Sequence, residues 1–171
     1  MKAKPCSASL AIKTTHVLPP DTNPYDTLFG GKLMAHLDDI AGIAAVKHAN
    51  NPVVTASTDS VDFLAPVRVG QYISIEAFVT WTHKTSMEVF IRAITEDIKT
   101  GKRKACTTAF MTFVAIDENG KPISVPPVYP ENDDEKMLHE SAPLRANRRE
   151  ERRLNSKKLA ETFGTTYRTE K

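Results

Sequence analysis

Cysteine is scarce in this chain: only Cys6 and Cys106 occur, one near the start and one inside an apolar stretch. That pattern suits neither a disulfide scaffold nor a zinc site, and a reducing interior is expected. Long apolar runs are missing too. The opening MKAKPCSASLAIKTTHV lacks the uninterrupted apolar core of a secretion signal. The most apolar helix-like stretch, Leu33 to Ala49, is interrupted by His36, Asp38, Asp39 and Lys47. A bilayer span needs about 20 apolar residues, so this stretch reads as a core helix and no membrane partner is expected. The net charge is only +2, which gives no general attraction to nucleic acid or anionic membrane. A cytoplasmic location follows as the expectation.

Several catalytic signatures are missing as well. No G-x-S-x-G elbow occurs, so a serine-hydrolase route lacks its nucleophile. The histidines, His16, His36, His48, His83 and His139, show no spacing that gathers a metal, and H-E-x-x-H is absent. No metal is expected. Neither a Walker loop nor a dinucleotide glycine fingerprint is present, so nucleoside triphosphates and nicotinamide cofactors are not implied.

What is present reads as one compact domain with a modest extension. Hydrophobic residues make up 40% of the 171 residues, enough for a real core. Ser9 to Leu18 reads as a strand, and the prolines and polar residues from Pro19 to Pro24 enforce a loop reaching about Leu28. Phe29-Gly30-Gly31 then opens a helix to about His48, which Asn50-Asn51-Pro52 ends. At about 100° per residue, Leu33, Leu37, Ile40, Ala44 and His48 share one arc, which should face a sheet. Lys32, His36, Asp39 and Lys47 cluster opposite, while Asp38 lies apart, between Ala45 and Gly42.

Four segments of strand composition follow: Val53 to Phe63, Gln71 to His83, Ser86 to Ile98 and Arg103 to Ile116. Alternation through Ile73, Ile75, Ala77 and Val79, and again through Met87, Val89 and Ile91, predicts strands with one buried face. From Asp117 a turn and prolines 122, 126, 127 and 130 argue against regular structure. Residues 1–130 are therefore expected to form the domain. Residues 131–171 form a charged, partly helical extension whose arginines read as solvated charge, on a surface helix or an oligomer contact. One strand, one long helix and four longer strands describe an α+β fold in which an antiparallel sheet wraps a central helix, the hotdog arrangement.

Two features carry candidate chemistry. The segment from Thr22 to Gly31 ends where the helix starts, so backbone amides there point unpaired into the preceding space. Gly30 and Gly31 allow close approach, and the positive end of the helix favours charge developing on a carbonyl oxygen. Tight helix packing would also call for such a glycine pair. Asp38 is the sharper feature. A carboxylate two turns into an apolar helix must find hydrogen-bond partners, shift its pKa or border a wet pocket. There it would activate water or attack an acyl carbon directly. The same residue would also suit a structural carboxylate satisfied by backbone amides or a partner subunit. Asp39 and His36 read as surface groups.

With those residues in view, the chain resembles the hotdog acyl-CoA thioesterases of the bacterial YkhA and YciA type, related to mammalian cytosolic acyl-CoA hydrolases. The resemblance runs from Thr14 to Pro127. It rests on TNPYDTLFGGKLMAHLDDIAGIAA, VVTASTDSVDFLAPVRVGQ, THKTSMEVFI and TTAFMTFVAID, in that order. It implies hydrolysis of acyl-CoA, with coenzyme A part of substrate and product and no further cofactor. It also implies a homodimer joined sheet edge to sheet edge, with active sites along the interface and three dimers forming a hexamer. Asp38 falls at the family's catalytic aspartate, helped by a polar residue from the loop before the glycine pair of the facing subunit. Mammalian relatives can carry asparagine at the position of Thr27, which leaves Thr27, Asp26 and Asn23 as candidates for that helper. The expected route has an amide of Gly30 or Gly31 hold the thioester oxygen while Asp38 deprotonates water, and a covalent anhydride on Asp38 is the other chemical option.

The family pattern further suggests coenzyme A contacts. The turns Arg68-Val69-Gly70 and Lys84-Thr85-Ser86 are candidates for the phosphates, and Thr58, Val61 and Phe63 for the pantetheine arm, although each also has an ordinary turn or packing role. The competing functions are a non-catalytic acyl-CoA-binding module, a hotdog dehydratase, and an RNA- or membrane-binding tail. Asp38 argues against the first, and the absence of a helix-entry histidine against the second. Glutamates diluting the arginines argue against the third.

Overall fold

The computed structural model describes residues 1–165. A two-residue strand, β1 (Lys4–Pro5), and a 3-10 turn over Cys6–Ser9 lead into β2 (Ala11–His16). The proline-rich loop then delivers the chain to helix α1 (Gly30–Ala49). After it come β3 (Val53–Phe63), β4 (Tyr72–Thr82), β5 (Ser86–Glu96), β6 (Arg103–Ala115), the short β7 (Val128–Tyr129) and a second helix, α2 (Asp133–Phe163). Five strands form one antiparallel sheet in the order β2-β4-β5-β6-β3, and β1 pairs with β7 in parallel. The strand β3 is an edge: among the described residues no strand pairs with its outer side.

The arc expected to face the sheet does so. Leu33, Leu37, Ile40, Ala41, Ala44, Ala45 and His48 are buried, and the alanines let the helix axis lie close to the strands. Opposite them are the alternating side chains Ile73, Ile75, Ala77 and Val79 of β4, and Met87, Val89, Ile91 and Ala93 of β5, all fully buried. The helix ends at Asn50, which adopts the left-handed conformation (φ 52°) and donates its amide to the Val46 carbonyl at 2.8 Å.

Three local expectations need correction. The first strand starts later than its composition suggests, because Ser9 is drawn into the 3-10 turn. Its hydroxyl donates to the Cys6 carbonyl and accepts from the Val79 amide, which ends the ladder. The proline-rich segment still contributes β7, since Lys4 donates its amide to the Pro127 carbonyl and two residues of pairing need no amide from the flanking prolines.

The third concerns the arginines of the extension, which is helical as expected. The extension is one helix from Asp133 to Phe163, started by Asn132, whose side chain accepts from the Glu135 amide; residues 166–171 lie outside the described part. Arg145 and Arg149 are mostly buried rather than solvated, and Arg152, about half exposed, is ion-paired. They fall on one stripe of α2 and reach down to Glu88 and Asp59 on the face of the sheet away from α1. Arg145 also stacks 4.1 Å above the Phe110 ring. Burial alone would raise the Asp59 carboxyl, but hydrogen bonds from Ser57 and Thr112 and the Arg149 guanidinium outweigh it and hold it below the ordinary carboxylate range.

Candidate active site

Asp38 sits on the exposed flank of α1 nearest the edge strand. It is not sealed among apolar neighbours in the single chain. The cost of its position is met by a hydrogen bond: the Thr55 hydroxyl of β3 donates to Asp38 Oδ1 at 2.9 Å. One carboxylate oxygen is thereby oriented, and the other has no partner among the described residues. Asp39, one residue on, points elsewhere. It pairs with Lys13 at 2.8 Å, which holds its carboxyl below the usual range. The two aspartates have the different environments that the helical wheel assigns them.

Helix α1 starts with no side-chain cap on Phe29. Among the described residues the amides of Gly30, Gly31 and Lys32 find no acceptor, as helix geometry dictates for a first turn. Gly31 has a packing reason as well: a β-carbon there would lie 2.6 Å from Cε1 of Phe29, whose ring folds back over it. Gly30 has more room, with Phe63 at ordinary contact distance of 3.6 Å from such a carbon. Beside it an apolar pocket of about 370 Å³ is lined by Leu28, Gly30, Leu33, Phe63, Leu64 and Val67.

The preceding loop is organised by Asn23. Its Oδ1 accepts from the amides of Tyr25 (2.9 Å) and Thr27 (3.3 Å) and from the Thr27 hydroxyl (3.1 Å). Thr27 therefore spends its hydroxyl on Asn23, and among the described residues the Asn23 amide nitrogen has no acceptor. Asp26 is exposed in the left-handed conformation (φ 56°) and marks the turn.

Within one chain these parts do not converge on a single atom. Seven residues of helix separate Gly31 from Asp38, about 10 Å along the axis. In a water-mediated attack the oxyanion donor lies at about 3 Å from the carbonyl oxygen and the base one water away from the carbonyl carbon.

The remaining candidates fall into two groups. Thr58, Val61 and Phe63 line the α1 side of β3, paired with the buried Met111, Ala109 and Thr107. The turn Arg68-Val69-Gly70 packs against the Asn23 loop, where Val69 donates to the Asp26 carbonyl. Lys84-Thr85-Ser86 lies at the opposite end of the sheet, against Ala115 and Val125. The 11 residues of β4 separate these two turns by about 35 Å, so one chain does not present both to one ligand.

His36 stays on the polar arc with Lys13 and Asp39 around it, and partial burial together with Lys13 lowers its pKa. Both thiols are buried, and burial pushes Cys6 up to about 12 and Cys106 upward, so neither suits a nucleophile. Among the described residues no group of three or more potential ligands is placed to hold a metal ion, and no helix is long and apolar enough to cross a membrane. Thr55 is the site residue that sequence reasoning missed. It is one of two threonines in β3, and only the placing of β3 beside α1 distinguishes it.

Comparison with known proteins agrees with this geometry. Residues 25–102 match the thioesterase superfamily model. The chain is 50% identical to YkhA of Bacillus subtilis, described as an uncharacterized acyl-CoA thioester hydrolase, over 94% of this chain and 93% of that one. Among solved structures it is similar to an acyl-CoA hydrolase from Staphylococcus aureus in complex with butyryl coenzyme A, coenzyme A and coenzyme A disulfide. That likeness has a TM-score of 0.91 and 45% identity, over 95% of this chain and 99% of that one. Variants of that enzyme with alanine in place of an aspartate, an asparagine or a threonine match equally well. A hexameric acyl-CoA thioesterase in its apo form matches with a TM-score of 0.87 and 49% identity, over 89% of this chain and 97% of that one. The long helix cradled by an antiparallel sheet and the near full-length identity to YkhA carry one conclusion: this chain belongs to the hotdog thioesterase superfamily, in its acyl-CoA thioester hydrolase branch.

Proposed function

We propose that this protein hydrolyses acyl-CoA to a carboxylic acid and coenzyme A at sites shared between two copies of the chain. The observation that carries the reading is the Asp38–Thr55 hydrogen bond beside a free sheet edge. An oriented carboxylate beside an unpaired edge supports a site completed by the oxyanion donors of a second copy. The S. aureus variants support the assignment: their substituted asparagine, aspartate and threonine are spaced by 15 and 17 residues, as are Asn23, Asp38 and Thr55 here.

The steps follow from the groups present. The Thr55 hydroxyl holds one oxygen of Asp38, and the other takes a proton from water as that water attacks the thioester carbon. The carbonyl oxygen gains the electron pair and is held by the amide of Gly30 or Gly31, with Asn23, from the facing copy. Collapse of the adduct breaks the carbon–sulfur bond, and the coenzyme A thiolate leaves and is protonated. The anhydride route uses the same free oxygen as nucleophile. No cofactor beyond the coenzyme A of the substrate is needed.

Edge pairing of β3 with its own copy is the assembly we infer, with dimers joining into a hexamer as in the related hexameric enzyme. A long exposed edge invites such pairing. Phe29, Met34 and Phe63 form a partly exposed apolar border beside it. A two-fold contact runs the two β3 strands antiparallel, which brings the Arg68 turn of one copy to the end that carries the Lys84 turn of the other. Coenzyme A phosphates can then meet both, with the pantetheine arm along Thr58, Val61 and Phe63. Two buried unpaired thiols suit the reducing cytoplasm.

A screen of short-, medium- and long-chain acyl-CoA esters for thiol release, comparing wild type with Asp38→Asn, tests the reading. Turnover by wild type that falls by about a hundredfold or more in Asp38→Asn is expected. Binding of acyl-CoA without release above background would make the protein an acyl-CoA-binding module instead.

A further inference from the structure

Strand β3 does not run regularly against β6. Its pairing slips once between Thr55 and Ser57 and again between Thr58 and Ser60, leaving Ala56 and Asp59 without partners. Each slip is a bulge, which reverses the side to which the following residues point. Without the second bulge, and with Val61 and Phe63 kept toward α1, the strand would turn Ser57 and Asp59 toward α1 and Thr55 and Thr58 away. The two bulges instead turn Thr55, Thr58, Val61 and Phe63 toward α1 and send Ser57 and Asp59 to the opposite face. Thr55 pairs with Phe113 and Thr58 with Met111, both buried on the α1 side, whereas Ser57 pairs with Thr112.

The second bulge is the anchor point of α2. Asp59, with only 8% of its side chain exposed, accepts at Oδ2 from Arg149 (2.7 Å) and Thr112 (2.7 Å), and at Oδ1 from Arg152 (2.6 Å) and Ser57 (2.7 Å). Arg152 also holds the Asp59 carbonyl at 2.9 Å and the Ser57 hydroxyl at 2.8 Å. A carboxylate this buried is tolerated only while these partners stay in place, and the partners lie on one face only. The ion pairs thus hold the second bulge in place, and with it the side to which Thr58 and Thr55 point.

We propose that Arg149 and Arg152 are positioning residues for thioester hydrolysis: by pinning Asp59 on the far side of the sheet, they fix the β3 register that turns Thr55 toward Asp38 and Thr58 toward the coenzyme A arm. This rests on the reading that Asp38 and Thr55 serve the reaction. The link runs through the sheet, from α2 on one face to the reacting carboxylate on the other, and neither arginine touches substrate.

The test is a double-mutant cycle in the full-length protein, with kcat, KM, melting temperature and particle size measured for each variant. Arg149→Ala with Arg152→Ala is expected to lower kcat by about tenfold in the wild-type background and by less than about twofold in a Thr55→Ala background, because the bond being positioned is already gone. The lysine pair, Arg149→Lys with Arg152→Lys, should recover part of the loss. Should the alanine pair fail to fold, Arg152→Gln, which leaves Arg149 neutralising Asp59, takes its place in the same cycle. Unchanged kcat in a folded variant, or equal fold losses with and without Thr55, would overturn the proposal and leave these ion pairs a purely structural role. A wild type that releases no thiol would instead remove the hydrolase reading itself.

Discussion

Arg145 neutralises a carboxylate that the sheet has taken wholly out of water. Its Nε and Nη2 meet the two oxygens of Glu88 at 3.0 and 2.7 Å, and the Glu88 side chain is 0% exposed. Thr80 adds a hydroxyl to the same carboxylate at 3.0 Å. Removing the guanidinium leaves that buried charge with only the Arg149 guanidinium, at 3.9 Å, as a cation nearby, so Arg145→Ala is expected to destabilise the protein by about 3 kcal/mol, the low end for breaking a buried pair. Glu88→Gln combined with Arg145→Ala should recover much of this, since the remaining amide is neutral. Chemical denaturation of the single and double variants measures the difference.

Composite sites predict complementation between two inactive chains. Asp38→Asn and Asn23→Ala are each expected to be impaired alone. A mixed dimer contains one site with intact Asp38 from one chain and intact Asn23 from the other. Co-expression with two different tags, followed by isolation of the doubly tagged species, should restore turnover toward half of the wild-type value per dimer. No recovery in a verified mixed dimer would place Asp38 and Asn23 in the same chain's site.

His48 makes the fold sensitive to mild acid. It is fully buried, its Nε2 donates to the Pro126 carbonyl at 2.9 Å, and among the described residues its Nδ1 has no partner. Burial is the main cause that lowers its pKa below the ordinary 6.5, with the Pro126 bond opposing and Lys4 assisting. Below 6.5 the unfolded chain takes up a proton that the folded chain refuses, so stability drops as pH falls from that value toward the folded pKa. His48→Gln keeps a donor for Pro126 without titrating there. Melting temperatures between pH 7.5 and 5 should therefore slope less in the variant than in wild type, in about the range set by one buried histidine.

The two glycines at the helix start should respond differently to alanine. Gly31→Ala puts a β-carbon 2.6 Å from the Phe29 ring, and since that ring is half exposed it can swing aside, so the change should cost under about 1 kcal/mol while moving the Phe29 ring. Phe29→Leu in the same chain should relieve it. Gly30→Ala meets only an ordinary contact with Phe63, so stability should hold. Because Gly30 lines the apolar pocket, the change should instead raise KM for acyl-CoA, read from initial rates across substrate concentrations.

Much of this architecture was legible before any coordinates. The helical period from Leu33 to His48 and the alternation in β4 and β5 are local signals, and local signals survive without knowledge of what they pack against. The same holds for Asp38, which was conspicuous because its position on the wheel departs from the polar arc. Thr55 carried no such mark. Its role arises from β3 lying beside α1, a contact 17 residues apart in sequence. The bulges were equally silent, since neither Ala56 nor Asp59 is a glycine that would announce one. The tail arginines were misread for a related reason: their partners, Glu88 and Asp59, sit 57 and 90 residues away, and local charge balance says nothing about distant carboxylates.

By itself, then, the order of residues determined where the chain turns, which faces are apolar, and that one acidic group stands at the margin of a helix, because each depends on neighbours a few positions apart. Only the tertiary structure decided that Thr55 holds that group and that α2 grips the sheet from behind. Those are distances between segments remote along the chain, set by how the sheet closes around the helix.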